Sequence, residues 1–228
     1  MTHIENRPWY LQAAGRIAIL LPMKAIGTMA FMVLFFFGYF TVLRNPLNDA
    51  VTMPLTVVDR WVGFTPGAFP AYVSLWIYVS LPPAFLTSAA GLLRFAIWIA
   101  ALCLFCLGIF WLFPTQVPAF PIDFAEVPNM AILKGVDASG NACPSLHVAT
   151  AVFAAFWLGR IWRAISAPPL LRWATGGHCL VIVWSTMAIR QHVFLDVLAG
   201  LLAGSVFAWL SLRRVSLGAG GASASVVP

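Results

Sequence analysis

Long apolar runs divide the chain at about 24–43, 70–88, 94–113, 146–164, 171–188 and 192–212. Each approaches the roughly 20 residues a helix needs to span a bilayer. The pattern predicts an all-α, polytopic membrane protein: six transmembrane helices in one bundle with short connections. Residues 24–213 form that single domain, and only Leu81-Pro82-Pro83 interrupts a span. Before it, segment 1–23 carries Trp9 and Tyr10 between Arg7 and Arg16, as suits chain lying at a membrane interface. The first run starts too far from the N-terminus for a secretory signal and no small-residue cleavage site follows it, so it is expected to be retained. The tail, 214–228, is rich in Gly, Ala and Ser and is expected to be disordered.

Composition agrees: 61% of residues are hydrophobic and 9% charged, against about half and about a quarter in soluble domains. Nine basic residues fall on the side of the bundle that carries the N-terminus, among them Arg7, Arg16, Lys24, Arg94 and Arg160. Four fall on the other: Arg44, Arg60, Lys134 and Arg190. The positive-inside rule then puts both termini in the cytoplasm of a cell (inner) membrane protein. The net charge of +6 is accounted for by topology and calls for no nucleic acid. The outer side holds Asp49, Asp59, Asp123, Glu126 and Asp137, scattered without a spacing that clusters metal ligands, so neither metal nor cofactor is expected.

Five polar residues carry the chemistry. Residues 140–157 read GNACPSLHVATAVFAAFW, which sets Ser145 and His147 at the outer entrance of the fourth span. His192 enters the sixth span from the same side, so two histidines 45 positions apart lie at one membrane level. Asp196 is the only acid inside any span, and an intramembrane carboxylate is expensive enough to need a partner or a wet cavity. At i and i+4 it is expected to hydrogen-bond one ring nitrogen of His192 and leave the other free as a nucleophile. Ser145 suits the N-cap of its helix, where free N–H groups and the dipole favour phosphate. Arg190, two residues before His192, suits bidentate phosphate binding.

Other residues read as structure. Cys103 and Cys106 form a C-x-x-C mid-span without a nearby histidine, and Cys143 has no outer partner, so no disulfide is expected. His3 lies in the free N-terminus, and His178 is placed near the cytoplasmic side. Gly200 and Gly204 form G-x-x-x-G, which allows close helix contact, either within the bundle or between protomers.

Pro144-Ser145-Leu146-His147, followed by a helix-initial His192-x-x-x-Asp196, resembles the second and third signatures of the type 2 phosphatidic acid phosphatase superfamily. The resemblance covers roughly residues 50–210. Pro114–Pro118 (PTQVP) and the run from Arg190 to Gly200 resemble the bacterial branch grouped with inositol phosphorylceramide synthases. The first signature, K-x6-R-P, has no clean match: Arg44 and Pro46 are split by Asn45, and Phe37 stands at the lysine position. Ser185 and Thr186 stand where a Ser-Arg pair is usual. Arg44, Arg60 and Lys134 are the candidates for the missing positive charge.

The resemblance implies a six-span enzyme acting on lipid phosphates by two displacements. His192 attacks phosphorus, Asp196 orients it, and Ser145 and Arg190 hold the phosphate oxygens. His147 protonates the leaving oxygen and then helps activate the acceptor. Water as acceptor makes a lipid phosphatase working on phosphatidic acid or an isoprenoid diphosphate, the favoured reading. A second alcohol makes a headgroup phosphotransferase of the inositol phosphorylceramide synthase type. A non-enzymatic lipid-binding protein on the same scaffold is the third reading.

Overall fold

The computed structural model describes residues 7–121 and 140–213; Lys134 and the tail at 214–228 lie outside them. The chain is all-helical, with a short amphipathic helix, α1 (Trp9–Ala18), ahead of the bundle. It is followed by α2 (Leu21–Arg44), α3 (Val57–Trp61), α4 (Phe69–Val73), α5 (Leu75–Phe85) and α6 (Ala89–Leu112). Further along the chain come α7 (Leu146–Ala164), α8 (Pro169–Ala188) and α9 (Phe194–Leu212). The second apolar run is a composite in which a 3-10 turn (Pro66–Ala68), α4 and α5 follow one another. It breaks at Ser74, while Pro82 and Pro83 stay inside α5.

Four of these segments are long and apolar enough to cross a membrane: Leu21–Arg44, Pro66–Phe85, Ala89–Leu112 and Phe194–Leu212. Helices α7 and α8 have 19 and 20 residues but carry Arg160 and Arg163, and Arg172 and His178, respectively. Helix α7 lies among α5, α6, α8 and α9, and its Arg160 and Arg163 are exposed near its C-terminal end. Its Val148, Phe153, Trp157, Leu158 and Ile161 are almost fully buried.

The tightest contact is between α7 and α9. A Cβ on Gly200 would lie 2.5 Å from the Ser145 carbonyl oxygen, and one on Gly204 would strike the Ala149 carbonyl. The G-x-x-x-G pair therefore serves contact within the bundle. At the opposite end of the same seam Trp157 Nε1 donates to Ser211 Oγ at 2.9 Å, and Arg94 Nε donates to the Ser211 carbonyl at 2.6 Å.

On the side where α7 and α9 begin, three loops are knitted together. Val51 and Thr52 (β1) pair in parallel with Thr115 and Gln116 (β2). Ala142 N–H donates to the Thr115 carbonyl at 3.0 Å, and Cys143 N–H to Thr115 Oγ1 at 2.8 Å. This small cap fixes the backbone at Asn141–Cys143 over the bundle end.

The packing makes one expectation sharp. Gly200→Ala forces α7 and α9 apart and costs about 1–3 kcal/mol, the usual penalty for overfilling a packed seam. Gly176→Ala, with open space around its Cβ position, is expected to be neutral. Thermal unfolding in detergent, comparing the two variants, checks this.

Candidate active site

Two helix N-termini meet at the capped end of the bundle. Ser145 is the N-cap of α7, its Oγ accepting from Val148 N–H at 3.3 Å. The first N–H groups of α9 are taken by two carboxylates. Val193 N–H donates to Asp196 Oδ2 at 2.9 Å, and Phe194 N–H to Asp59 Oδ1 at 2.7 Å. The two ends are joined directly, Ser145 N–H donating to the Asp196 carbonyl at 2.9 Å.

His192 sits just ahead of α9, 8% exposed. Its Nδ1 lies 3.0 Å from the Ala142 carbonyl oxygen. A carbonyl only accepts, so in the neutral ring Nδ1 carries the proton and Nε2 keeps its lone pair. The bond expected from Asp196 therefore goes to Ala142. Asp196 Oδ2 stands 3.6 Å from Nδ1, too far for a good hydrogen bond but near enough to stabilise a charged imidazolium. The reason is local. Val193 is extended (φ −104°, ψ 167°) and the helix begins at Phe194, so His192 and Asp196 do not share a helical turn.

His147, in the first turn of α7, is held by aromatic rings. Tyr72 stacks on it with centroids 4.1 Å apart and planes 14° apart, and Trp76 meets it edge-on at 6.2 Å. Tyr72 Oη is 3.5 Å from Nδ1. A hydroxyl donating there leaves the ring proton on Nε2. The His147 and His192 rings are 6.4 Å apart, centroid to centroid. Both line a cavity of about 670 Å³ that runs beneath α2 along α5 and α6, with Phe31, Phe35, Trp76 and Ile99 in its largely apolar wall.

Arg190 occupies the left-handed region, φ 61°. It is the residue after the C-cap of α8, where Arg190 N–H reaches the Met187 carbonyl and Gln191 N–H the Thr186 carbonyl, both at 3.0 Å. Glycine usually fills this place, and a larger residue there is strained. One guanidinium N–H donates to the Asp59 carbonyl at 3.1 Å, and the plane lies 4.6 Å over the Phe120 ring. Arg190 Nε, His147 Nε2 and Asp196 Oδ1 are buried without a hydrogen-bond partner among the described residues. Buried polar atoms are rarely left so.

The expected residues thus separate into groups. His147, His192 and Asp196 come together, with Ser145 and Arg190 flanking the cavity rather than lining it. Arg44 is exposed at the end of α2, over the Phe40 ring at 5.9 Å, and Arg60 is exposed on α3. Neither lines the cavity. Sequence reasoning missed three contributors. Asp59 shows itself only through Thr56-x-x-Asp59, a capping pattern, realised by Thr56 N–H donating to Asp59 Oδ2 at 2.7 Å. Tyr72 and the Ala142 carbonyl had no motif to announce them.

Cys143, in the loop beside this site, is half-buried. Burial, with the Asp196 carboxylate nearby, pushes its thiol up to about 11.

A model described as the PAP2 superfamily matches residues 68–210, more than half of the chain. The chain belongs to the PAP2 superfamily, that is, the type 2 phosphatidic acid phosphatases. Membership points to phosphatase-type hydrolysis of lipid phosphates, and the four apolar helices to a membrane protein. No curated protein and no solved structure matches the chain.

Two measurements follow from the site. Asp59→Ala removes acceptors from Thr56 and Phe194 and is expected to destabilise the fold by about 1–3 kcal/mol; chemical unfolding reads it. Because a raised thiol pKa keeps the unreactive form to higher pH, maleimide labelling of Cys143 should keep rising past pH 9, where an ordinary thiol of pKa about 8.5 levels off. Labelling rate against pH, with Cys143→Ser as blank, checks the sign.

Proposed function

We propose that the chain is a lipid phosphate phosphatase working through a phosphohistidine on His192. The observation that carries this reading is a pair of imidazoles, 6.4 Å apart, at the polar end of a long apolar cavity. One has its Nδ1–H fixed by a carbonyl and the other is clamped by Tyr72. A lipid phosphate supplies both parts: a tail for the cavity and an anion for the unpartnered nitrogens.

The chemistry proceeds in two displacements. His192 Nε2 attacks phosphorus with its lone pair, and the bond from phosphorus to the lipid oxygen breaks. His147, protonated at both ring nitrogens when the phosphate dianion is bound, gives its Nε2 proton to that leaving oxygen and is left neutral. The new N–P bond leaves the His192 ring cationic, which Asp196 at 3.6 Å stabilises. Water then attacks phosphorus, His147 takes its proton, and the N–P bond breaks to release phosphate and restore both rings. Arg190 and the N-terminus of α7, set by the Ser145 cap, hold the charge spread over the phosphate oxygens.

The membrane arrangement belongs to the same proposal. Helices α7 and α8 also cross, making six spans, since 19 and 20 residues give about 30 Å, the thickness of the hydrocarbon core. Both termini are cytoplasmic and the histidines face the outer side, by the distribution of basic residues.

Purified protein in detergent with EDTA, offered phosphatidic acid or an isoprenoid diphosphate, is expected to release inorganic phosphate. His192→Ala should abolish release, and His147→Gln should cut it at least about a hundredfold. Headgroup exchange onto a lipid alcohol without phosphate release would replace the phosphatase with a phosphotransferase. Neither reaction would sink the reading.

A further inference from the structure

The far end of the cavity holds charge that the histidine chemistry does not use. Lys24, in the first turn of α2, is 7% exposed, and a lysine is almost never so buried unless paired. Its Nζ donates to the carbonyl oxygens of Arg16 and Ala84, both at 2.7 Å, in the last turns of α1 and α5. Those helix ends carry partial negative charge and hold the ammonium in place. An ammonium has three donors, and two are taken. Arg16 adds a second cation, its Nη1 3.5 Å from the Phe85 carbonyl.

No carboxylate among the described residues answers them. Asp49, Asp59 and Asp196 all lie toward the histidine end. The first turn of α2 also has no side-chain cap, so its free N–H groups present further positive potential beside Lys24.

Lys24 stands between two cavities. One is the groove that ends at the histidines. The other, about 340 Å³, is bounded by Ile17, Leu21, Thr28, Ser80 and Pro83 and is also apolar. From Lys24 to Tyr39 the groove follows α2 for about 22 Å, longer than the roughly 15 Å of a single leaflet.

We propose that this end is a second lipid site, which takes an anionic phospholipid from the leaflet opposite the histidines. Its phosphate rests on Lys24 and Arg16, with one acyl chain in the groove and the other in the smaller cavity. Basic pockets between membrane helices recognise anionic headgroups in this way. An anionic phospholipid balances the charge of Lys24 and Arg16, which no carboxylate among the described residues meets, whereas a zwitterionic one brings its own cation. On the reading of the groove as the substrate's tail site, the two lipids compete for one apolar space.

Native mass spectrometry of the full chain tests this without turnover, so it stands or falls apart from the phosphatase reading. The probes are phosphatidylglycerol, phosphatidylcholine and glycerol 3-phosphate. The wild type is expected to retain one phosphatidylglycerol with at least a tenfold preference over phosphatidylcholine. Lys24→Gln, which removes the charge but leaves two N–H donors, should lose that preference; Lys24→Arg should keep it, and Arg16→Gln should weaken it severalfold. Arg172→Gln, an exposed basic position at the same end, should change nothing. Equal retention of both lipids by the wild type overturns the proposal, as does preference surviving in a Lys24→Gln protein with native melting behaviour. Equal loss in Arg172→Gln would reduce it to general surface attraction, and displacement of lipid by glycerol 3-phosphate would make it a bare phosphate site; either overturns it.

Discussion

The structure depends on how closely α7 and α9 approach. At Gly200 and Gly204 the backbone of α9 lies against the carbonyls of Ser145 and Ala149, with no room for a methyl group. That contact fixes the relative height of two helix N-termini, and the Ser145 N–H bond to the Asp196 carbonyl locks it. Helix starts brought together this way concentrate unpaired N–H groups and positive potential in one place. The rest of the structure at that end answers this accumulation. Asp59 and Asp196 take the first donors of α9, Ser145 takes one of α7, and the loop at Asn141–Cys143 supplies the carbonyl that orients His192.

The bundle is uneven, and the unevenness suits its chemistry. Helices α6 and α7 supply the largest shares of the buried core, while α2 buries only Lys24 and Leu43 among its 24 residues. It is tied mainly at its ends: by Lys24 at one, and at the other by the Tyr39–Asn141 and Asn48–Leu112 hydrogen bonds. Between those ties lies the groove. A segment with few buried apolar contacts opens at low cost, so the histidines sit on the rigid half and the looser half borders the groove.

Much of this was legible in the chain. The apolar runs located every long helix to within a few residues, because burial in lipid or protein imposes length and composition directly. His147 and His192 could be placed at one level because alternating spans leave few choices. The His192–Asp196 hydrogen bond was misread because i and i+4 share a face only inside a helix, and α9 starts after His192. Arg44 and Arg60 were weighed on charge alone, which says nothing about where an exposed side chain reaches. The stacking of Tyr72 on His147 joins positions 75 apart through tertiary packing, and Ala142 acts through its backbone, which no side-chain pattern records. Lys24 was counted for topology when its burial between two cavities was the informative property.

The account turns on covalent catalysis by His192. Rapid quenching into alkali during turnover of a lipid phosphate labelled at phosphorus, followed by peptide mass spectrometry, measures it most directly. The account predicts an alkali-stable, acid-labile phosphoryl group on Nε2 of His192, accumulating in His147→Gln and absent in His192→Ala. Turnover with no phosphohistidine, or with the label on His147, would contradict it.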